Sequence, residues 1–237
     1  MFDGILVINP RDFVDRREHI STQLKDAGLN DYEFIHDYDI GDISYEINKK
    51  FFKQECEMTI RQKSCALKHI VAHEIVKKRG LKRCLILEDD VILSTSFNKI
   101  LSLASTELSQ LPNPKVLFIG EGGNFYTKKS KLVAGQYFYL NQKGRFGDSY
   151  IIDDEVANLR LNWIYNNKLL VPCDNTFDQI DKRLGISIYW LEPTIISQGS
   201  KNGLYASTLV KSPSKFKQYF KYRWEKIRRK YLYRLFN

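Results

Sequence analysis

Apolar residues recur along this chain in two rhythms, and the alternation between them is the first structural fact it offers. "GILVIN" (Gly4–Asn9) is a short unbroken apolar run and predicts a buried strand. "RDFVDRREHISTQLKDAG" then spaces Phe13, Ile20 and Leu24 along one side of a helix, with Gly28 as its stop. "YEFIHDYD" (Tyr32–Asp39) alternates as a second strand, and residues 41 to 58 predict a loop with a short helix. From Thr59 to Gly80, Ile60, Leu67, Ile70, Val71 and Ile75 return every three or four residues, which predicts a helix. It closes on Lys77, Lys78 and Arg79 and then Gly80, cations at the negative end of the dipole and glycine at the cap. "RCLILEDD" is the next strand, "FNKILSLASTELSQL" a helix, and "KVLFIGEGG" a strand ending in glycines. "GQYFYL" predicts a strand within a hairpin, "GDSYIIDDEVANLRLNWIY" passes from strand to helix, and "ISIYWLEP" is a late strand.

Strands alternating with helices imply an α/β fold with a mostly parallel sheet and helices on both faces. The 237 residues are enough for one such domain with a sizeable core. No apolar run reaches the roughly 18 residues that span a bilayer. "MFDGILVINPRD" lacks the basic region of a signal peptide, so a cytoplasmic protein is expected. The four cysteines (Cys56, Cys65, Cys84 and Cys173) form no CxxC pair; that spacing predicts reduced thiols, with neither a zinc site nor a disulfide framework.

Charge changes this picture at one place. The chain carries a formal +9, but ten Lys/Arg and a single acid, Glu225, fall within residues 211 to 237. Residues 1 to 210 are therefore neutral, and a boundary near Lys211–Ser214 separates a domain (1–210) from a basic tail (211–237). In that tail Phe216, Phe220, Trp224, Ile227, Tyr231 and Leu235 follow one another at three- or four-residue spacing, one stripe of a helix. Lys217, Lys221, Lys226, Arg228, Arg229 and Lys230 flank it. Two readings fit: an amphipathic helix on an anionic membrane surface, or a helix packing its aromatic stripe on the domain. Nucleic acid is not expected as a partner, because the neutral body holds no nucleic-acid motif.

The densest chemistry is "LILEDDV". Strand alternation would put Glu88 and Asp90 on one side and Asp89 on the other. Two carboxylates at the carboxyl end of a strand suit a hard cation such as Mg²⁺ or Mn²⁺, and ligands of open α/β sheets bind beyond such ends. A solvated acidic loop is the plainer reading. His69 and His73 share a helix face four residues apart, yet no HExxH pattern completes a metal pair, so packed histidines are the simpler expectation. Arg16, in "DRR", could meet a phosphate or lie on a solvated helix turn. In "VPCDNTFDQIDKR", Asp174 is either a helix N-cap or a general base, with Asp178 or Asp148 next in line. "SQGSKNGLYAS" (197–207) has the composition of a surface loop, or of a lid facing a phosphate.

Taken together these pieces resemble glycosyltransferase family 25, the lipopolysaccharide and lipooligosaccharide glycosyltransferases, over most of residues 3 to 210. The similar segments run in the family's order: "ILVINPRDFVDRREHISTQL", "SCALKHIVAHEIVKKRGLKRCLILEDDV", "GDSYIIDDEVANL", "VPCDNTFD" and "EPTIISQGSKNGLYAST". One departure stands out. Members often carry Gly-Glu-x-Gly-Cys before the histidine, where this chain has Arg61-Gln62-Lys63-Ser64-Cys65. The resemblance implies a GT-A-like, Rossmann-related fold. It implies an inverting transfer, usually of galactose from UDP-galactose, onto a saccharide of the outer core, with Mn²⁺ or Mg²⁺ as cofactor. Carried over, Glu88 and Asp90 take the metal role, Glu88 and Asp89 with Arg16 and His69 line the nucleotide-sugar site, and Asp174 or Asp178 serves as catalytic acid/base. A lipid-linked acceptor and a peripheral location on the inner face of the cytoplasmic membrane follow from the tail. The competing expectations are another donor, UDP-GlcNAc or a CMP-linked acid sugar, and a carbohydrate- or membrane-binding protein without catalysis.

Overall fold

The computed structural model describes residues 2–199 and 224–232. Its elements in chain order are β1 (Gly4–Ile8), α1 (Val14–Asp26), β2 (Glu33–Ile35), α2 (Tyr45–Phe51), α3 (Ile60–Arg79), β3 (Cys84–Glu88), β4 (Val91–Leu93), α4 (Phe97–Gln110), β5 (Lys115–Phe118), β6 (Phe138–Asn141), β7 (Ser149–Ile152), α5 (Asp154–Asn167), α6 (Cys173–Leu184), β8 (Ser187–Leu191) and β9 (Ile196–Gln198). A helical turn at 224–227 continues as a π-helix, Arg228–Leu232. The loop expected at 197–207 is described only as far as Gly199, and Phe216, Phe220 and Leu235 of the expected stripe, with Lys217 and Lys221 of its flanks, lie outside the described residues.

Seven strands form one sheet in the order β2-β1-β3-β7-β5-β8-β6. β1 pairs in parallel with both β2 and β3, and β5 with β8, while β7 and β6 run antiparallel to their neighbours. Five of the seven strands therefore share one direction, as the mostly parallel expectation requires. β7 runs against them because its chain comes from the loop at 142–148, beside the carboxyl end of β3, and has to travel back. "GQYFYL" forms no hairpin with a sequence neighbour; β6 is an edge strand on β8. The second predicted strand shortens to three residues.

Burial explains the layers. In β1 and β3, Ile5, Val7, Leu85 and Leu87 point to one face, against Ile20 and Leu24 of α1 and Phe97, Leu101 and Ala104 of α4. Leu6, Ile8, Cys84 and Ile86 point to the other, against Ala72 and Val76 of α3 and Val156 and Ala157 of α5. Both faces are covered, so these strands read as continuous apolar runs. A third cluster joins α2, α3, α5 and α6 through Phe51, Leu67, Leu161, Ile164, Phe177 and Ile180. Inside it, Arg160 grips Asp181 bidentately at 2.8 and 2.6 Å, a fully buried pair that ties α5 to α6.

α3 starts and stops as its sequence predicts. Thr59 and Gln62 form a reciprocal capping box, and Gly80 closes the helix in the left-handed conformation (φ 65°). Gln62, which stands where the family often has an acid, is thus occupied with starting the helix. Ser64, in place of the second glycine, donates to the Tyr38 carbonyl at 2.7 Å.

Candidate functional site

The site lies beyond the carboxyl ends of β1 and β3, where α3, α6 and the loop before β7 converge. β3 ends at Glu88; Asp89 and Asp90 form the turn into β4, so the alternation expected of a strand does not extend through them. The turn nonetheless separates the acids. Asp89 points toward α1, where Arg16 Nη1 (3.1 Å) and Asn9 Nδ2 (2.8 Å) donate to its two oxygens. Arg16 also lies over the Phe13 ring at 4.8 Å, which fixes the guanidinium. Burial holds the Asp89 carboxyl up at about 6, against the pull of Arg16. These three residues brace the end of β1 to the end of β3.

Glu88 turns the other way. Its carboxyl is pushed well above the usual range by burial first and then by the charges of Asp90, Asp174, Asp148 and Asp89. Asp148 precedes β7 and sits beside Glu88, whose N–H donates to the Asp148 carbonyl at 2.9 Å. Asp148 is fully buried; Ser149 Oγ donates to its Oδ1 at 3.0 Å, and its Oδ2 has no hydrogen-bond partner among the described residues. Burial, followed by Asp90 and Asp174, raises its carboxyl well above the ordinary value. Glu88, Asp90, Asp148 and Asp174 lie near enough for their charges to act on one another: Asp90, Asp174 and Asp148 help raise Glu88, and Asp90 and Asp174 help raise Asp148. Packing anions near one another is unfavourable unless a cation or shared protons offset it; among the described residues, however, these acids do not bring their oxygens within 4.8 Å of one another as a group, as Cys65, His69 and Cys173 do with their ligand atoms.

Asp174 is not the N-cap of its helix. Pro172 holds that position without a side-chain bond, and Asp174 falls in the first turn. Its Oδ1 accepts from Gly147 N–H at 3.0 Å and lies 3.6 Å from Cys173 Sγ; these hydrogen bonds are all on Oδ1, leaving Oδ2 without one among the described residues. One turn on, Asp178 Oδ1 accepts from Gly144 N–H at 2.6 Å. The two acids of α6 therefore clasp the loop 144–147 against the site, and Asp178 has the geometry of a positioning residue. A Cβ on Gly147 would come within 2.8 Å of Asp174 Oδ1 and 3.4 Å of His69 Cε1, so a side chain there has to push the Asp174 carboxylate aside.

The two histidines of α3 part company. His73 is packed: its Nδ1 meets the His69 carbonyl at 2.7 Å and its ring lies against Phe177. Burial and the Arg160 charge hold it neutral, well below the ordinary imidazole value. His69 is equally buried, with Nδ1 on the Tyr150 hydroxyl at 2.9 Å, but its Nε2 has no hydrogen-bond partner among the described residues and lies 3.6 Å from Glu88 Oε1.

Two features escaped the sequence reading. The cysteines expected to stand apart do not all do so: Cys65, His69 and Cys173 bring their ligand atoms within 4.8 Å of one another. The Cys65 and Cys173 thiols act on one another, so that the Cys65 value is lowered and the Cys173 value raised. β4 and β9 were also missed. They pair as a separate two-stranded sheet and carry Gly199 N–H to within 2.6 Å of the Asp90 carbonyl, so the "SQG" segment begins at the site. Three-residue strands carry too little periodicity to be read in advance.

The C-terminal helical segment reaches the far side of this region. Lys226 Nζ meets the buried Glu121 carboxylate at 2.6 Å, and Arg229 donates to the Gly123 carbonyl at 3.0 Å while lying over Phe125. Trp224, Ile227 and Tyr231 are 61%, 44% and 58% exposed. The described part of the stripe is exposed, and two of the bases flanking it, Lys226 and Arg229, are bound to the domain. Among the described residues no helix is long and apolar enough to cross a membrane.

Known structures with a similar chain path include the catalytic domain of Drosophila β1,4-galactosyltransferase 7 in complex with xylobiose (12% identity, 90% of this chain and 77% of that one, TM-score 0.45). A glycosyltransferase involved in glycosylation of the PBCV-1 major capsid is also similar (11% identity, 93% and 98%, TM-score 0.38), as is mouse xyloside xylosyltransferase 1 (14%, 78% and 71%, TM-score 0.39). Comparison with curated proteins finds no match. The profile of glycosyltransferase family 25 (LPS biosynthesis protein) matches residues 2–151, a span running from β1 through the acidic turn to β7. A sheet of mostly co-directional strands, acids gathered beyond its carboxyl ends and that family match lead to one conclusion: this chain is a glycosyltransferase and belongs to glycosyltransferase family 25.

Proposed function

We propose that the enzyme transfers galactose from UDP-galactose, with inversion, onto a saccharide of a lipid-linked surface glycan. The observation that carries this reading is the family match over residues 2–151, supported by the way Asp90 and Asp174 raise the Glu88 and Asp148 carboxyls. Glu88 and Asp90 would hold Mn²⁺ or Mg²⁺, with Asp148 Oδ2 the additional buried donor. A cation bound there supplies charge neutralisation for the diphosphate leaving group.

The chain's own residues supply the rest. Asp174 accepts the proton of the acceptor hydroxyl through Oδ2, held in place because Oδ1 is tied to Gly147 N–H. The hydroxyl oxygen bonds to the anomeric carbon as the bond from that carbon to the UDP oxygen breaks, and UDP leaves on the opposite face of the sugar. Arg16, Asn9 and Asp89 keep the ends of β1 and β3 in register, and the Asp174 and Asp178 clasp holds loop 144–147. Positioning of this kind accounts for a large part of such a rate enhancement.

The exposed Trp224, Ile227 and Tyr231 support the membrane-surface role: aromatic side chains left in water gain by entering a headgroup boundary, and the basic flanks favour an anionic leaflet. Residence there brings the enzyme to a lipid-linked acceptor, on the inner face of the cytoplasmic membrane.

Nucleotide release measured across a panel of UDP- and CMP-sugars, with Mn²⁺ or with EDTA, tests the reading. The expected result is UDP release from UDP-galactose that stops in EDTA. Release from UDP-GlcNAc or a CMP-sugar alone overturns the donor assignment, and full turnover in EDTA overturns the metal.

A further inference from the structure

α3 places Cys65 and His69 four residues apart on one face, and α6 begins with Cys173 against that face. Cys65 Sγ, the His69 ring nitrogen and Cys173 Sγ all lie within 4.8 Å of one another. Glu88 Oε1 lies at the edge of the group, 3.6 Å from His69 Nε2 and 3.8 Å from Cys65 Sγ. Tetrahedral zinc, with Zn–S near 2.3 Å and Zn–N near 2.0 Å, sets its donor atoms roughly 3.3–3.8 Å apart. The two distances to Glu88 lie in that range, and the distances among Cys65, His69 and Cys173 are bounded at 4.8 Å.

The nitrogen aimed at the centre is the observation that points to a ligand. His69 is completely buried, and its Nε2 has no hydrogen-bond partner among the described residues. Its other nitrogen, Nδ1, is 2.9 Å from the Tyr150 hydroxyl, which fixes the ring as an outer partner does for a metal-bound histidine; with the proton on Nδ1, Nε2 would offer its lone pair to the ion. Leaving such a nitrogen unsatisfied in the interior is costly, and a bound ion would remove that cost.

We propose that Cys65, His69 and Cys173 form a site for a borderline-soft divalent cation of the Zn²⁺ class, with Glu88 at its edge as the residue it shares with the neighbouring carboxylates. Thiolate and imidazole donors select zinc over magnesium or manganese, which prefer the oxygen donors of Asp90 and Asp148. On binding, both thiols lose their protons to solvent and two sulfur–metal bonds form, with no oxidant or reductant involved. The ion links α3, α6 and the end of β3. The site stands on its own geometry and does not depend on which sugar the enzyme transfers.

Cobalt(II) is the probe, added to the reduced full-length protein in the absence of any sugar nucleotide. The expected spectrum contains thiolate-to-cobalt charge-transfer absorption at one equivalent, and zinc abolishes it by displacement. Cys173→Ser and Cys65→Ser each lose the band, while Cys56→Ser, a cysteine outside the group, keeps it. A parallel measurement needs no variant: one equivalent of Zn²⁺ slows alkylation of Cys65 by about tenfold or more and leaves Cys56 unchanged. Cobalt that binds without a thiolate band sits on the carboxylates and overturns the proposal. So does equal alkylation of Cys65 with and without zinc, or a Cys65–Cys173 disulfide forming in air as fast with zinc as without it. Each of these results leaves the glycosyltransferase assignment untouched.

Discussion

At the scale of single residues, charge is what separates a role in chemistry from a role in packing. Asp90 contributes to the potential that raises Glu88 and Asp148, so it belongs to the shared anionic site. Asp90→Asn keeps the shape and removes one charge; kcat is expected to fall at least about a hundredfold, ~2.7 kcal/mol of barrier, with the folded state retained in circular dichroism. Asp174→Asn still accepts from Gly147 N–H but cannot take a proton. Its kcat is expected to drop by about a hundredfold or more while its melting temperature stays near wild type; normal turnover would hand the base role to Asp178 or Asp148. His73 carries a prediction about stability instead. Burial keeps it neutral in the native state, whereas the unfolded chain takes up a proton below about pH 6.5. The unfolded state then binds more protons, so stability present above pH 6.5 is lost as the pH falls, by up to about 1.4 kcal/mol per unit. Urea midpoints between pH 7 and 5 for wild type and His73→Gln check this: the variant is expected to lose that part of the slope.

At the scale of elements, the site depends on two close approaches. α6 touches loop 144–147 through Asp174 and Asp178, and α3 lies behind it through His69. A Cβ at 147 displaces the Asp174 carboxylate from its bond to the loop. Gly147→Ala is expected to cost about 1–3 kcal/mol, as overpacking does, and to lower kcat with it because Asp174 is displaced. Gly41→Ala, where a methyl group meets nothing within 4 Å, is the comparison and is expected to stay within about 0.5 kcal/mol of wild type. If both variants melt alike, the clasp is looser than its geometry states. Helix α3 itself is secured at both ends, by the Thr59–Gln62 box and by Gly80, so the side chains it sends into the site rest on a fixed support.

For the whole molecule, the distribution of charge matters more than its sum. A neutral domain carries a basic tail whose described part is bound to it by Lys226 and Arg229, with Trp224, Ile227 and Tyr231 facing outward. Replacing those three by serine is expected to abolish sedimentation with anionic vesicles while leaving the melting temperature and activity on a soluble acceptor unchanged. Because each nearby base contributes about 1 kcal/mol before screening, wild-type binding is expected to weaken steeply with salt. A lower melting temperature in the triple variant, or vesicle binding equal to wild type, would show that the stripe serves the fold and not a membrane.

The local pattern already determined much of this. Unbroken apolar runs marked β1, β3, β5, β7 and β8, because a strand covered on both faces has no polar side to show. Helical spacing and caps marked α1, α3, α4 and α5, since helix signals are local and repeat over several turns. The acids of the turn after β3 were legible too, three in a row at a strand end. What the sequence could not decide were relations between distant segments. Nothing local distinguishes His69 from His73; one is sealed beside Arg160 and the other turned to Glu88 by the way α5 and α6 pack on α3. Nothing in its spacing joins Cys65 to Cys173, or makes Asp174 the holder of Gly147 and not a helix cap. Spacing along the chain constrains neighbours within a turn or a pleat; contacts between elements are set by the packing of their buried faces, and only the tertiary structure carries that information.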